Sequence, residues 1–150
     1  MRYTTKTEYG LICLVNLAKM GPCAKVAIKE LAELESYPYS YVEKIFQSLR
    51  AANIVHSFQG NQGGYALAKP AGEISLREVI DAIEGSTFET FCETRDVICN
   101  HNKSCNLRDV WFGTKQLLDK YYASMSLADL INEQKIIHIS EPQVVATETL

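Results

Sequence analysis

No stretch of this 150-residue sequence approaches the roughly 18 consecutive apolar residues that a membrane-spanning helix needs. The opening residues, MRYTTKTEYG, are too polar for a secretory signal. A cytoplasmic protein with no membrane association is therefore expected. Histidine is scarce and scattered, at His56, His101 and His138. The sequence has no H-E-x-x-H pair, no Ser-His-Asp arrangement and no glycine-rich phosphate loop. Hydrolytic and phosphoryl-transfer machinery is thus missing, and the reading is not an enzyme and has no small-molecule substrate. The remote alternative is a zinc or thiol-redox activity built on the cysteines. Basic charge is also short, with 15 Lys and Arg against 18 Asp and Glu, a net charge of −3. That deficit is uneven: residues 1–70 carry eight basic and five acidic side chains, whereas residues 71–150 carry seven and thirteen. The front part can face phosphate despite the overall sign.

Cysteine is the residue type whose placement stands out. Five is an odd count, which argues against a disulfide framework. Cys13 lies in an apolar helical run and Cys23 beside a turn, as plain small residues do. The remaining three, Cys92, Cys99 and Cys105, follow a C-x6-C-x5-C spacing in a segment without helical or strand period. Thiolates are preferred ligands of iron-sulfur clusters and zinc, and a loop held between helices can wrap three of them around one centre. Three ligands leave a coordination position for another residue, a partner subunit or a small molecule.

The periodicity along the chain predicts mostly helix. Thr5-Lys6-Thr7-Glu8 has the pattern of a capping box and opens a helix, apolar nearly all round, that stops at Gly21-Pro22. A short extended piece over 26–28 precedes a second helix with Ile28, Leu31 and Ala32 on one face. After the turn Ser36-Tyr37-Pro38-Tyr39, the stretch Ser40-Tyr41-Val42-Glu43 again has capping-box spacing. Val42, Ile45, Phe46 and Leu49 then recur at i, i+3, i+4 and i+7, which puts Ser40, Lys44, Gln47 and Ser48 on the opposite face. Helix, tight turn and a helix with a polar outer face is the layout of a helix-turn-helix. Two alternating runs around Gly60-Asn61-Gln62-Gly63-Gly64 read as a hairpin, a wing by its position. Ser75-Leu76-Arg77-Glu78 caps a further helix that ends at Gly85.

Beyond the cysteines, Leu107, Trp111, Thr114, Leu118, Tyr121 and Met125 alternate spacings of four and three, widened by Val110 and Leu117. That is a coiled-coil seam, expected to pair with its copy in a homodimer. A short helix starts at Ser126. The fold class expected is mostly α with a small β-hairpin wing (α+β): a winged helix-turn-helix DNA-binding domain plus a long dimerisation helix. The divisions are 1–85 for the DNA-binding domain, 86–106 for the cysteine loop, 107–135 for the dimerisation and last helices, and 136–150 for a flexible tail.

Together MRYTTKTEYG, ELAELESYPYSYVEKIFQSLRAANIV, GNQGGYALAKP, EISLREVIDAIEG and the three cysteines before a tryptophan resemble the IscR/NsrR/RirA family of winged helix-turn-helix regulators, over roughly residues 1–131. The resemblance implies a homodimeric bacterial transcription factor, a repressor, that binds double-stranded operator DNA and senses iron, nitric oxide or redox state. Its cofactor would be an iron-sulfur cluster on Cys92, Cys99 and Cys105. It also implies DNA contacts from Tyr41 and Glu43. The DNA-facing set expected comprises Arg2, Thr4, Thr5, Lys6, Ser40, Tyr41, Glu43, Lys44, Gln47, Arg50, Gln59, Asn61, Gln62 and Gly63.

Three departures from the family pattern bear on the chemistry. The first cysteine gap is six residues where many members have five. Gln59 stands at the base of the wing where arginine is frequent. Arg108 stands where the two-iron branch has a histidine ligand, so the resemblance favours [4Fe-4S] over [2Fe-2S]. In the four-iron branches a carboxylate from the first helix of the partner subunit can complete the ligands; Glu8 occupies that position, with His101 or an exogenous ligand as rivals. The alternative function is that of a cluster-free member controlling sulfur or cysteine metabolism through a metabolite or partner protein.

Overall fold

The computed structural model describes residues 4–60, 63–85 and 106–132. Six α-helices and one hairpin follow in the order α1 (Thr5–Lys19), α2 (Ile28–Leu34), α3 (Tyr39–Ala51), β1 (Val55–Phe58), β2 (Gly64–Leu67), α4 (Leu76–Glu84), α5 (Asn106–Ser124) and α6 (Leu127–Asn132). This is the winged-helix architecture expected from the periodicity.

The core is the sum of the predicted apolar faces. Cys13, Leu14 and Leu17 of α1, Leu31 of α2, Val42, Ile45, Phe46 and Leu49 of α3, and Val79 of α4 are all essentially without solvent contact. The central helix α1 approaches α3 and α4 closely because Gly10 has no side chain. A β-carbon there would collide with the Ile83 side chain and lie 3.0 Å from a methyl of Ile45.

Both helices of the helix-turn-helix end in the same way, on a residue other than glycine. Ser36, at φ 57°, and Asn53, at φ 58°, adopt the left-handed conformation. In each case a pair of backbone bonds closes the end: Tyr37 N–H to the Ala32 carbonyl at 2.8 Å and Ser36 N–H to Glu33 at 3.2 Å, then Ile54 N–H to Leu49 at 2.9 Å and Asn53 N–H to Arg50 at 3.0 Å. This is the Schellman arrangement, which satisfies the last carbonyls and turns the chain sharply. The angle between α2 and α3 thus originates in local backbone chemistry.

The hairpin pairs Val55 with Leu67 and Phe58 with Gly64. Of the extended piece expected over 26–28, Val26 joins it, bridging Tyr65 through bonds of 3.0 and 2.8 Å, whereas Ile28 already opens α2. A second bridge, Ser75 to Ser126, returns the chain after α5 to the start of α4. Leu127 is then fully buried in the core that α1 to α4 build. Residues 127–132 therefore pack with the N-terminal unit, although periodicity assigns them to the segment after the long helix.

Two expected capping boxes do not form. At α1 the N-cap is Thr4 rather than Thr5, and no side chain closes the cap from within. At α3 the N-cap is Pro38, which places Ser40 inside the helix and leaves Glu43 without a capping role. The box at Ser75 and Glu78 is present in both directions.

Candidate nucleic-acid interface

Helix α3 divides sharply. Its inner residues, Val42, Ile45, Phe46 and Leu49, are at most 1% exposed, whereas Ser40, Lys44, Gln47 and Arg50 lie open to solvent and Glu43 is half exposed. Tyr39, the first residue of the helix, is 49% exposed, and its hydroxyl lies 3.5 Å from a Glu43 carboxylate oxygen. Sequence reasoning passed over Tyr39 because it took Ser40 as the cap and Tyr39 as turn. The signal available was Pro38, whose fixed φ and missing N–H suit a helix start.

Tyr41 is placed differently from its neighbours. It is half-buried, packs against the core and meets the Tyr9 ring edge-on at 5.7 Å, while Tyr9 stacks on Tyr37 at 3.6 Å. Its ring is thus partly committed to joining α1, the turn and α3. Arg50 donates to the Ser57 hydroxyl at 3.2 Å, which ties the end of α3 to the first strand of the wing. Gln59 is exposed at the hairpin, and the Gly63 amide closes the tip on the Gly60 carbonyl at 2.8 Å. Asn61 and Gln62 lie outside the described residues, as does Arg2. Lys25, absent from the expected set, sits with its ammonium 4.3 Å from the centre of the exposed Phe58 ring.

The start of α1 has a partner that no local pattern announces. The hydroxyls of Thr4 and Thr7 and the Thr4 amide all donate to one carboxylate oxygen of Glu84, the last residue of α4. In return the Lys6 ammonium donates to the Ile83 carbonyl at 2.8 Å. Each helix end is capped by the other: an anion meets the N-terminus of α1 and a cation the C-terminus of α4, as the helix dipoles favour. Burial opposes ionisation of Glu84, but the hydrogen bonds from Thr4 and Thr7 and the nearby Lys6 charge outweigh it and hold the carboxyl below its ordinary range. Thr4 and Lys6, expected to face DNA, are thereby engaged in the fold; Thr5 is exposed.

Glu8 is exposed on the same first turn. Cys92, Cys99, Cys105 and His101 lie outside the described residues, and so does the segment after residue 132. Of the other two cysteines, Cys13 is fully buried and Cys23 exposed. Burial, with the Glu35 carboxylate nearby, pushes the Cys13 thiol up to about 11. Cys13 is an inert core residue.

Helix α5 leaves a broad apolar stripe uncovered. Leu107 is 60%, Val110 56%, Trp111 42%, Phe112 57% and Leu117 71% exposed. Leu118 is half-buried and Met125 is only 6% exposed, facing the chain's own core. The open stripe therefore runs through Leu107, Val110, Trp111, Phe112, Leu117 and Tyr121: it keeps Leu107, Trp111 and Tyr121 of the expected seam and both residues that widen it, and loses Leu118 and Met125, which turn inward. Arg77 of α4 meets Asp119 of α5 at 3.3 Å while also reaching Asp81 at 3.5 Å. Among the described residues no helix is long and apolar enough to cross a membrane.

Comparison with known proteins places this geometry. Residues 3–133 match the Rrf2 family, described as iron-dependent transcriptional regulators. A chain of Neisseria meningitidis assigned to the HTH-type transcriptional regulators is 33% identical over 135 residues, covering 90% of each chain. The HTH-type transcriptional regulator IscR of Cronobacter sakazakii is 29% identical over 143 residues, covering 95% of this chain and 88% of that one. The solved structure of CymR, the global cysteine regulator of B. subtilis, superposes with a TM-score of 0.74 at 24% identity, covering 90% of this chain and 99% of the other. That last likeness is one of fold.

Proposed function

Since the chain belongs to the Rrf2 family of DNA-binding transcriptional regulators, we propose that it is a homodimeric repressor that reads its operator with α3 and the wing and responds to an iron-sulfur cluster. The observation that carries the DNA-reading part is the outer face of α3. Ser40, Glu43, Lys44, Gln47 and Arg50 are displayed on a helix whose opposite face is fully locked in the core, so the display is rigid. Side chains of this kind match what the major groove offers: Gln and Ser pair with base edges, Glu accepts from the cytosine amino group, and Lys and Arg meet guanine or phosphate. The wing, tied to α3 through Arg50 and Ser57, lies beside this face and suits the flanking groove or backbone.

The open stripe on α5 is the surface for the second copy. Two recognition helices related by a two-fold axis would meet half-sites about 34 Å apart along the duplex. Cys92, Cys99 and Cys105 would hold the cluster, with Glu8 contributed across the dimer. Three thiols and one carboxylate are a donor set that suits iron. The exposed carboxylate of Glu8 is free of the capping task that its spacing suggested. A bound cluster would supply a centre that nitric oxide, oxygen or iron shortage can alter, and [4Fe-4S] fits the absence of histidine at position 108. A cytoplasmic location follows from operator binding.

Anaerobic purification followed by iron and sulfide counts and a visible spectrum tests the cofactor. Broad thiolate-to-iron absorption with matching iron and sulfide supports the reading. A colourless protein that still protects operator DNA in a footprint would instead make it a regulator governed by a metabolite or partner protein. Failure to protect any DNA, with or without iron, would overturn the whole reading.

A further inference from the structure

We propose that Lys25 is a backbone-phosphate contact of the wing and that Phe58 is the residue that positions it. This rests on the DNA-binding reading above and adds two residues that neither the helix-turn-helix pattern nor the glycine-rich tip points to. Three features of the structure carry it.

First, Lys25 is fixed to the wing although it lies far from it in sequence. The adjacent residue Val26 exchanges both backbone bonds with Tyr65, at 3.0 and 2.8 Å, so an isolated bridge fastens the segment to the edge of β2. Val26 is 3% exposed, and its side chain points into the core. Successive side chains on an extended segment alternate in direction, so Lys25 points outward.

Second, the ammonium is held in place. It lies 4.3 Å from the centroid of Phe58, at the end of β1 next to Gln59. Phe58 is 40% exposed, too open to be needed for core packing. An aromatic face attracts a cation without neutralising it. A carboxylate partner would cancel the charge, and among the described residues Lys25 has none, whereas Lys29 and Lys69 each have one and Arg77 has two.

Third, the position lies between two elements that approach the sugar-phosphate backbone. In a helix-turn-helix the helix ahead of the recognition helix crosses that backbone, and Lys25 stands three residues before α2 begins. The wing, to which the ammonium is held, flanks the same surface. A single positive charge suspended there meets phosphate rather than a base edge.

The test uses the full-length protein and sonicated mixed-sequence duplex DNA, because a phosphate contact does not depend on sequence. Affinity is measured over a range of salt concentrations. Lys25→Ala should lower the slope of log affinity against log salt by about one for each bound protomer, and Lys25→Arg should keep it. Phe58→Leu retains the charge but removes its seat, and should weaken binding about two- to five-fold. In the double variant that weakening should vanish, since the two residues act as one unit. Melting temperatures of all variants, compared with wild type, show that each folds. A wild-type slope in Lys25→Ala overturns the phosphate contact, and additive losses in the double variant overturn the positioning by Phe58. Salt-insensitive or absent binding by the wild-type protein would instead overturn the DNA-binding reading on which the proposal rests.

Discussion

The Glu84 carboxylate at the end of α4 accepts the Thr7 hydroxyl from the first turn of α1, across 77 residues of sequence. With the Thr4 contacts and the reverse bond from Lys6 to Ile83, it joins the start of the central helix to the point where the chain leaves the winged unit. The junction replaces the local capping box that the Thr5 to Glu8 spacing suggests.

Glu84→Gln should therefore destabilise the protein at neutral pH by about 0.5–2 kcal/mol, the range for losing a helix N-cap. The folded-state carboxyl is held below the ordinary glutamate value of about 4.3. Its contribution is present in full above that value and is lost as pH falls through the depressed one. Thermal melts across acidic pH should show the gap between wild type and variant closing at the acid end. A gap that stays constant with pH would place the effect in packing instead.

Leu117→Asp should abolish the dimer while leaving the protomer folded. Leu117 is 71% exposed on α5, so a carboxylate there costs the single chain little. In a paired helix the same carboxylate would be buried without a partner. Sedimentation should report a monomer with unchanged helix content and no operator binding. A dimer that survives this substitution would move the interface off the stripe.

Glu43→Gln tests base reading more cleanly than its spacing from Ser40 suggests, because Ser40 lies inside α3 and Glu43 closes no cap. Specificity at one base pair should relax by about 1–3 kcal/mol, with the circular dichroism spectrum unchanged. Equal weakening on every sequence would show that Glu43 acts without reading a base.

Glu8→Ala should leave the melting temperature nearly unchanged, within the roughly 0.5 kcal/mol typical of surface positions. Iron should still be retained on anaerobic purification, held by three thiolates and an exogenous ligand, but operator affinity should no longer respond to its removal. Cys99→Ala should lose the iron outright. A Glu8→Ala variant whose affinity responds to iron removal as wild type does would exclude Glu8 from the ligand set.

Much of the winged unit is legible in the residues because it depends on short-range periodicity. The i, i+3, i+4, i+7 pattern from Val42 to Leu49 determines both the helix and the face it turns outward, since any helix there must bury those four side chains. The box at Ser75 and Glu78 is likewise a contact between neighbours three residues apart, and it forms as the spacing predicts. The two other boxes look the same in sequence and do not form. Both helices start earlier than the spacing suggests: α1 is capped at Thr4, where Glu84 takes the Thr4 and Thr7 hydroxyls, and Pro38 starts α3 two residues before Ser40. For α5 the residues alone give one broad apolar seam and do not say which part of it the chain's own core covers. The docking of α5 on α4, with Asp119 against Arg77 and Met125 turned into the core, leaves Leu107, Val110, Leu117 and Tyr121 outward. Lys25 and Phe58 are invisible to any local pattern for the same reason, because 33 residues separate them and they meet through the Val26 to Tyr65 bridge together with the pairing of β2 with β1. Periodicity determines which side of each element is buried; which exposed groups then meet depends on how the elements dock.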